Sequence, residues 1–306
     1  MIEIKKVKNL IKNPLLIIPF LGRLGYLNWI NDKTYLKLFA YSRFRKKIKF
    51  NNPKTFNDKL QWLKIYDRKT IYTDLVDKKK AKKIVGDLLG ESYLIKTIKV
   101  FNRPEEIDLD LLPNRFVLKC THDSGGVVIC RDKKNFDKKS AVKKLNKHLK
   151  SNYYWGKREW PYKNINPQII CEEYLEDGTK EYLTDYKFYC FNGESKYCQV
   201  IKGRNTNETI DFFDMDWNHM PFTGMRKLPN SNIKIPQPKY LNEMIFAAEH
   251  LSKNIPFVRV DFYHTENNVY FGEMTFYPQS GFGVIEPKEW NTKLGNLINL
   301  PEKRGV

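Results

Sequence analysis

Apolar residues first fall at helical spacing just after Asp77. Ala81, Ile84, Val85, Leu88 and Leu89 recur at i, i+3, i+4, i+7 and i+8, which makes one apolar stripe and predicts a helix over 77–89. Gly90 can end it. A second helix is expected over 140–154. A third is expected over 240–252, with Leu241, Met244, Ile245 and Ala248 on one face. Between these lie strand-like runs at 92–100, 168–175, 186–191 and 196–201, and a hairpin at 257–276. Residues 1–75 read as a basic, partly helical N-terminal region. Strands that arrive as hairpins, with helices interspersed and no internal repeat, predict an α+β fold with largely antiparallel sheets.

Two strand pairs carry residues that a buried strand does not need. In "NRFVLKCTHDSGGVVIC" (114–130), Lys119 sits among Phe116, Val117, Leu118 and Cys120, just before a loop that ends Gly125-Gly126. In "FVRVDFYHTENNVYFGEMTFYP" (257–278), a turn centred on Asn267 sets Asp261 opposite Glu273 and Arg259 opposite Thr275. Side chains two apart share a face. Arg259, Asp261, Glu273 and Thr275 therefore project together, with Val258, Val260, Phe262, Met274 and Phe276 behind them. Two facing carboxylates repel unless a positive group lies between them. Mg²⁺ suits that place, because it takes one or two carboxylates plus phosphate oxygens and water. A salt-bridge lattice on a solvated face is the other reading. "IICEEYLED" (169–177) is a buried-strand run that ends in acids before a turn at Asp177-Gly178. In "DYKFYCFNGES" (185–195), Asp185 and Lys187 share a face; an acid suits ribose hydroxyls and a lysine suits phosphate.

Composition adds charge to this picture. The 306 residues carry a formal net charge of +19, which suits an anionic partner or a solvated lysine-rich surface. No RNA-recognition, helix-turn-helix or zinc signature is visible, so nucleic acid is not expected as a partner. The five cysteines, Cys120, Cys130, Cys171, Cys190 and Cys198, have no zinc spacing and read as buried free thiols of a reducing compartment. "PLLIIPFLG" (14–22) is too short to span a bilayer and is interrupted by Pro14 and Pro19. It reads first as a packing segment. With the basic "RFRKKIK" (43–49), a weak membrane-surface patch is the alternative. "NYYWGKREWPYK" (152–163) sets Tyr and Trp rings among Lys157, Arg158 and Lys163. That mixture suits sugar stacking and acid capture, or an ordinary core cluster.

The ordered set of phrases is similar to the TupA-like proteins of the ATP-grasp superfamily, which are encoded with bacterial surface-polysaccharide genes. The similarity covers about 55–290. It runs through "NPKTFNDKLQWLKIYDR" (52–68), "LVDKKKAKKIV" (75–85), "FVLKCTHDSGG" (116–126), "REWPYKNINPQIICEEYL" (158–175), "DYKFYCFNGES" and "FVRVDFY…YFGEMTFYPQSGFG". The resemblance implies two α+β lobes enclosing ATP, over 76–175 and 176–306, behind an N-terminal region at 1–75. It implies ATP and one or two Mg²⁺ ions. Lys78 and Lys119 take the places of the nucleotide-binding lysines, and His122, Ser124, Gly125 and Gly126 lie in the glycine-rich loop over the triphosphate. Glu172 takes the place of the adenine-amine acceptor, with Glu173, Tyr174 and Leu175 in the adenine hinge, and Asp185 that of the ribose acid. Lys187 and Arg259 fall where the family carries catalytic cations, and Asp261, Glu273 and Thr275 where it binds metal. Two departures stand out. Thr275 replaces the usual Asn, which weakens a second metal site, and Asp123 occupies a loop position where glycine is expected.

The function this implies is an ATP-dependent carboxylate–amine ligase acting through an acyl phosphate. It would join an amino acid or amine to a uronic-acid-containing cell-surface glycan or its lipid-linked precursor, of the teichuronopeptide or capsule kind. The place implied is the cytoplasm, at the inner face of the membrane where that precursor lies. The rivals are a glycosyltransferase or sugar kinase of the same pathway, and a non-catalytic nucleotide-binding assembly module. Against a glycosyltransferase, no DxD-like triplet precedes a sugar-nucleotide pocket. "DFFDMD" (211–216) comes nearest and reads as a surface turn.

Overall fold

A computed structural model describes residues 14–176, 183–203 and 207–303. The described residues open with helices α1 (Ile17–Arg23) and α2 (Asp32–Phe44), then α3 (Phe56–Tyr66) and α4 (Ile71–Val76). Side-chain caps start α2 and α3: Asn31 accepts from the Thr34 N–H and Thr55 from the Asp58 N–H. Helix α5 (Lys78–Leu89) follows, capped by Asp77, which accepts from the N–H groups of Lys79 and Lys80. The helix expected over 77–89 is therefore present, with Asp77 as its cap.

A first antiparallel sheet has the order β1 (Thr97–Phe101), β4 (Ile169–Glu173), β2 (Phe116–Cys120), β3 (Val127–Cys130). The strand expected over 92–100 starts later, because Glu91–Tyr93 forms a short 3₁₀ turn. Helix α6 (Lys138–Leu149) covers the sheet and stops before α7 (Tyr153–Lys157). The single helix expected over 140–154 is thus two, the second starting at the Asn152 cap. Phe101, Phe116, Leu118, Leu145, Ile169 and Cys171 make this sheet's core.

A second antiparallel sheet has the order β10 (Val269–Thr275), β9 (Phe257–His264), β5 (Asp185–Phe191), β6 (Glu194–Lys202), β7 (Thr209–Phe213). It carries the largest core, with α8 (Leu241–Ser252) packed through Met244, Ala247, Ala248 and Leu251. Strands β8 (Thr223–Met225) and β11 (Val284–Glu286) form a small ribbon, and α9 (Glu289–Asn296) closes the chain. β7 overturns the reading of 211–216 as a surface turn. Asp211, Phe212 and Phe213 are buried strand residues, and only from Asp214 does the chain turn. Asp211 is buried because it accepts from the Ser231 N–H and lies 3.0 Å from His219, as a buried carboxylate must. All five cysteines are free and buried. The turn at Asp177-Gly178 lies outside the described residues.

Candidate active site

Strand alternation explains Lys119. Phe116, Leu118 and Cys120 face the core, while Val117 and Lys119 lie on the other side of the sheet. Lys119 is thus not embedded among its apolar neighbours but stands on the opposite face. Its ammonium forms an ion pair with Glu172 Oε2 at 2.6 Å. Lys82 of α5 donates to Glu172 Oε1 at 2.5 Å and to the Thr97 hydroxyl at 2.9 Å. Burial works to raise the Glu172 carboxyl's proton affinity, but Lys119 and Lys82 overcome it and hold the group ionised below its usual range. Burial lowers Lys82 from the ordinary lysine value. Two ammonium groups share one carboxylate here, so the trio keeps a net positive charge. Glu173, by contrast, points outward and pairs with Lys96 at 3.3 Å. Tyr174 and Leu175 follow it where β4 has ended.

The loop after β2 is anchored from below. Lys78 donates its backbone N–H to the Thr121 carbonyl and its ammonium to the Asp123 carbonyl. His122 is buried, with Nε2 against the carbonyls of His148 and Ser151, so it holds the loop rather than facing outward. Asp123, the unexpected acid, also points inward. It accepts from the Gly126 N–H and pairs with His148, which removes its charge from the loop's outer side. Ser124 and Gly125 remain exposed at the tip, and Gly125 has φ +114, a conformation that glycine adopts freely. Gly126 is packed tightly. A Cβ there would lie 2.7 Å from Asp123 Oδ1 and 2.8 Å from the Cys120 sulfur. Gly126→Ala is expected to cost about 1–3 kcal/mol through overpacking, read as a lower melting temperature; an unchanged melt would show that the loop is not locked by this contact.

The hairpin register is as expected, for a different reason. Near the turn, Tyr270 pairs Tyr263 and Phe271 pairs Phe262, one residue off a pattern centred on Asn267. A bulge at Gly272 restores Glu273 opposite Asp261 and Thr275 opposite Arg259. Cross-strand pairing extends the polar face to β5 and β6, because Lys187 pairs both Asp261 and Gln199. On that face Arg259 donates from Nε to Asp261 Oδ1 and from a terminal nitrogen to Oδ2, both at 2.6 Å. The same nitrogen reaches Thr275 Oγ1 at 3.0 Å and Glu273 Oε1 at 3.3 Å. Lys187 pairs with Asp261 and lies 3.4 Å from Asp185. Burial would raise the Asp261 carboxyl, yet Arg259 and Lys187 hold it below the usual range. The positive group between the facing carboxylates is therefore Arg259.

A polar cleft of about 350 Å³ opens over this face, reaching Ser124 of the loop on one side. Its opposite wall, from the 152–163 cluster, holds an acid that was not anticipated. Glu159 is buried there, accepting from the Ser280 hydroxyl, beside the paired rings of Tyr153 and Tyr162 at 5.0 Å. Burial raises the Glu159 carboxyl, against the pull of Lys64. Lys64, wholly buried on α3, is brought by burial down to about 7, with Glu159 acting the other way. Lys64 and Gln61 donate to the carbonyls of Ser280 and Gly281. They thereby hold Gln279 and Ser280 at φ 49 and 56, strain of the kind that collects at functional sites.

The cluster expected over 152–163 divides. Tyr153 and Tyr162 face the cleft, whereas Tyr154, Trp155 and Lys163 line a second cavity of about 480 Å³ with Trp29 and Tyr66. Arg158 captures no ligand acid; it is fully buried, donating to the Leu27 carbonyl and pairing with Asp32 at 3.2 Å. Lys82 and Glu159 carried no sequence signal of their own. Lys82 is one of five lysines within 78–83, and Glu159 is hidden between Arg158 and Trp160.

Residues 58–299 match the family described as TupA-like ATPgrasp. No curated protein matches the chain. Among solved structures, the chain is similar to D-alanine–D-alanine ligase from Bacillus anthracis complexed with ATP. Identity there is 18%, over 73% of this chain and 63% of that one, with a TM-score of 0.42. For D-alanine–D-alanine ligase from Helicobacter pylori the values are 14%, 88%, 69% and 0.41, and for the D-cycloserine synthetase DcsG 15%, 68%, 64% and 0.37. The chain thus spans less than two thirds of the Bacillus anthracis ligase.

Proposed function

The chain belongs to the TupA-like ATP-grasp family, and from that premise we propose that it is an ATP-dependent carboxylate–amine ligase acting on a carboxylated saccharide. The observation that carries this reading is the cleft itself. One wall offers Lys187 and Arg259 beside Glu273 and Thr275, and the other offers a buried carboxylate, Glu159. The two lysines around Glu172 suit the nucleotide, with Lys119 directed at phosphate and Glu172 at an exocyclic amine. Their excess positive charge fits a polyphosphate.

The donor set also fits one Mg²⁺. Glu273 has a half-exposed side chain whose contacts, 3.3 Å to Arg259 and 3.5 Å to the Thr275 hydroxyl, both fall on Oε1, so Oε2 is open to a cation. Asp261 faces it, and Thr275 adds a hydroxyl. No trio of His, Cys, Asp or Glu gathers as a cation site among the described residues, so phosphate oxygens and water would have to complete the ion's coordination. Such an ion, when bound, offsets charge on the β- and γ-phosphates.

In the reaction, a carboxylate oxygen forms a bond to the γ-phosphorus as the bond to ADP breaks. The acceptor carboxylate needs no base, being ionised at neutral pH. An amine nitrogen then bonds to the acyl carbon, and phosphate leaves. That amine must lose a proton, and Glu159, on the cleft wall, is the group we assign to take it. Arg259 steadies the acyl phosphate's charge. Hydroxylamine is expected to intercept the intermediate, giving a hydroxamate with equal amounts of ADP and phosphate when uronic-acid glycans and free amino acids are screened with ATP and Mg²⁺. A stable phosphorylated sugar would point to a kinase instead. Sugar transfer from a nucleotide-sugar without ATP would overturn the ligase reading.

One observation favours a second reading. Both Asp261 oxygens are engaged by Arg259 and Lys187, as in a nucleotide-binding module without turnover. Equal binding of ATP and ADP, with no Mg²⁺-dependent ADP release, would select it.

A further inference from the structure

The N-terminal helices expose what a packing segment would bury. α1 and α2 meet where Gly22 lies against the Tyr35 ring, and α2 buries Tyr35, Leu36, Phe39 and Ala40. On α1 the only buried residue is Gly22. Ile17, Phe20 and Leu24, at i, i+3 and i+7, face solvent, as do Leu38, Tyr41 and Phe44, at i, i+3 and i+6. In the turn between the helices, Tyr26 is 68% exposed and Trp29 82%. Of fifteen exposed large apolar side chains among the described residues, eight fall within 17–44. Arginines lie over three of these rings: Arg23 over Phe20 at 6.0 Å, Arg43 over Phe44 at 5.9 Å and Arg45 over Tyr41 at 5.5 Å. Between residues 14 and 49 stand eight lysines and arginines and one acid, Asp32. That acid is already engaged by Arg68 and Arg158, both from outside the segment.

We propose that this helical pair docks the protein on an anionic lipid bilayer, independently of the reaction assigned to the cleft. The chemistry is that of an interfacial anchor. Leucine and aromatic side chains enter the boundary between headgroups and acyl chains, Trp and Tyr settle at that level, and arginines and lysines meet lipid phosphates. Lys46, Lys47 and Lys49, all exposed, continue the basic edge beyond α2. No helix is long and apolar enough to cross a membrane among the described residues. A nucleic acid would satisfy the cations but leave Ile17, Leu24 and Leu38 without an apolar partner.

The test is flotation of the full chain with vesicles of phosphatidylcholine alone or mixed with phosphatidylglycerol. Binding is expected to the anionic vesicles and not to the neutral ones. Leu24→Ser with Trp29→Ser is expected to lower the bound fraction about tenfold or more, and so is Lys46→Glu with Lys47→Glu. All four positions are exposed, so the melting temperature should not move. Three outcomes would overturn the proposal. One is no binding to either vesicle. Another is binding that the apolar substitutions leave unchanged, which is adsorption by charge alone. The third is a concentration-dependent dimer, lost with Leu24→Ser and Trp29→Ser, in a protein that ignores vesicles; the patch would then join two copies of the chain.

Discussion

Lys119→Ala is expected to weaken ATP binding by about 10- to 100-fold, the worth of one charge-assisted hydrogen bond to phosphate, while adenosine binding changes little. The expectation rests on where the lysine stands. Its strand turns Phe116, Leu118 and Cys120 into the core and Lys119 to the opposite face, so truncation opens no cavity in the core. Glu172 is not orphaned either, because Lys82 still donates to it at 2.5 Å. An isolated buried carboxylate would neutralise by taking up a proton; with Lys82 in place it remains ionised and able to accept from an amine. Asp185→Ala supplies the contrasting case. A ribose contact is common to ATP and adenosine, so both should weaken together, with Lys187 still paired to Asp261. Calorimetry with the two ligands separates these cases. Equal weakening of ATP and adenosine by Lys119→Ala would make the lysine a structural partner of Glu172 and nothing more.

Much of the polar face of the second sheet was legible because strands have period two. Arg259, Asp261, Glu273 and Thr275 share a face whatever the turn does, provided the pair stays in register. The bulge at Gly272 was not legible, and the assumed turn centre reached the right pairing only because the bulge compensates for a one-residue offset. Strand β7 escaped notice because its acids mimic a turn; Asp211 is buried by partners twenty and eight residues away, Ser231 and His219, which no local window contains. Arg158 shows the same limit. An arginine amid aromatics suggests a ligand site, yet its guanidinium is used up by Asp32 and a carbonyl of the N-terminal turn. Glu159 and Lys64 gain their character wholly from tertiary burial. The apolar run at 14–22 could be read as a packing segment or as a surface patch, since hydrophobicity alone does not say what a stripe faces.

Glu273→Gln is expected to remove about 99% or more of Mg²⁺-dependent turnover, a barrier increase of about 3 kcal/mol for losing a metal ligand, with the fold intact. The two carboxylates of the pair differ sharply in what else they do. Glu273 is half-exposed and contributes one 3.3 Å contact to Arg259, which a glutamine oxygen can replace. Asp261 is buried and neutralises both Arg259 and Lys187. Removing its charge would leave two cations competing for the remaining acids, and breaking a buried pair of this kind costs about 3–5 kcal/mol. Asp261→Asn should therefore lower the melting temperature as well as activity, and on its own it would not distinguish a metal ligand from a structural acid. Glu273→Gln does distinguish them. The measurement is ADP release against Mg²⁺ concentration in the presence of the acceptor identified by hydroxamate trapping, together with a melt. Wild-type release and wild-type Mg²⁺ dependence in the variant would sink the metal assignment and leave the face an ion-pair lattice. A loss of turnover with an unchanged melt requires that Glu273 act on something other than Arg259.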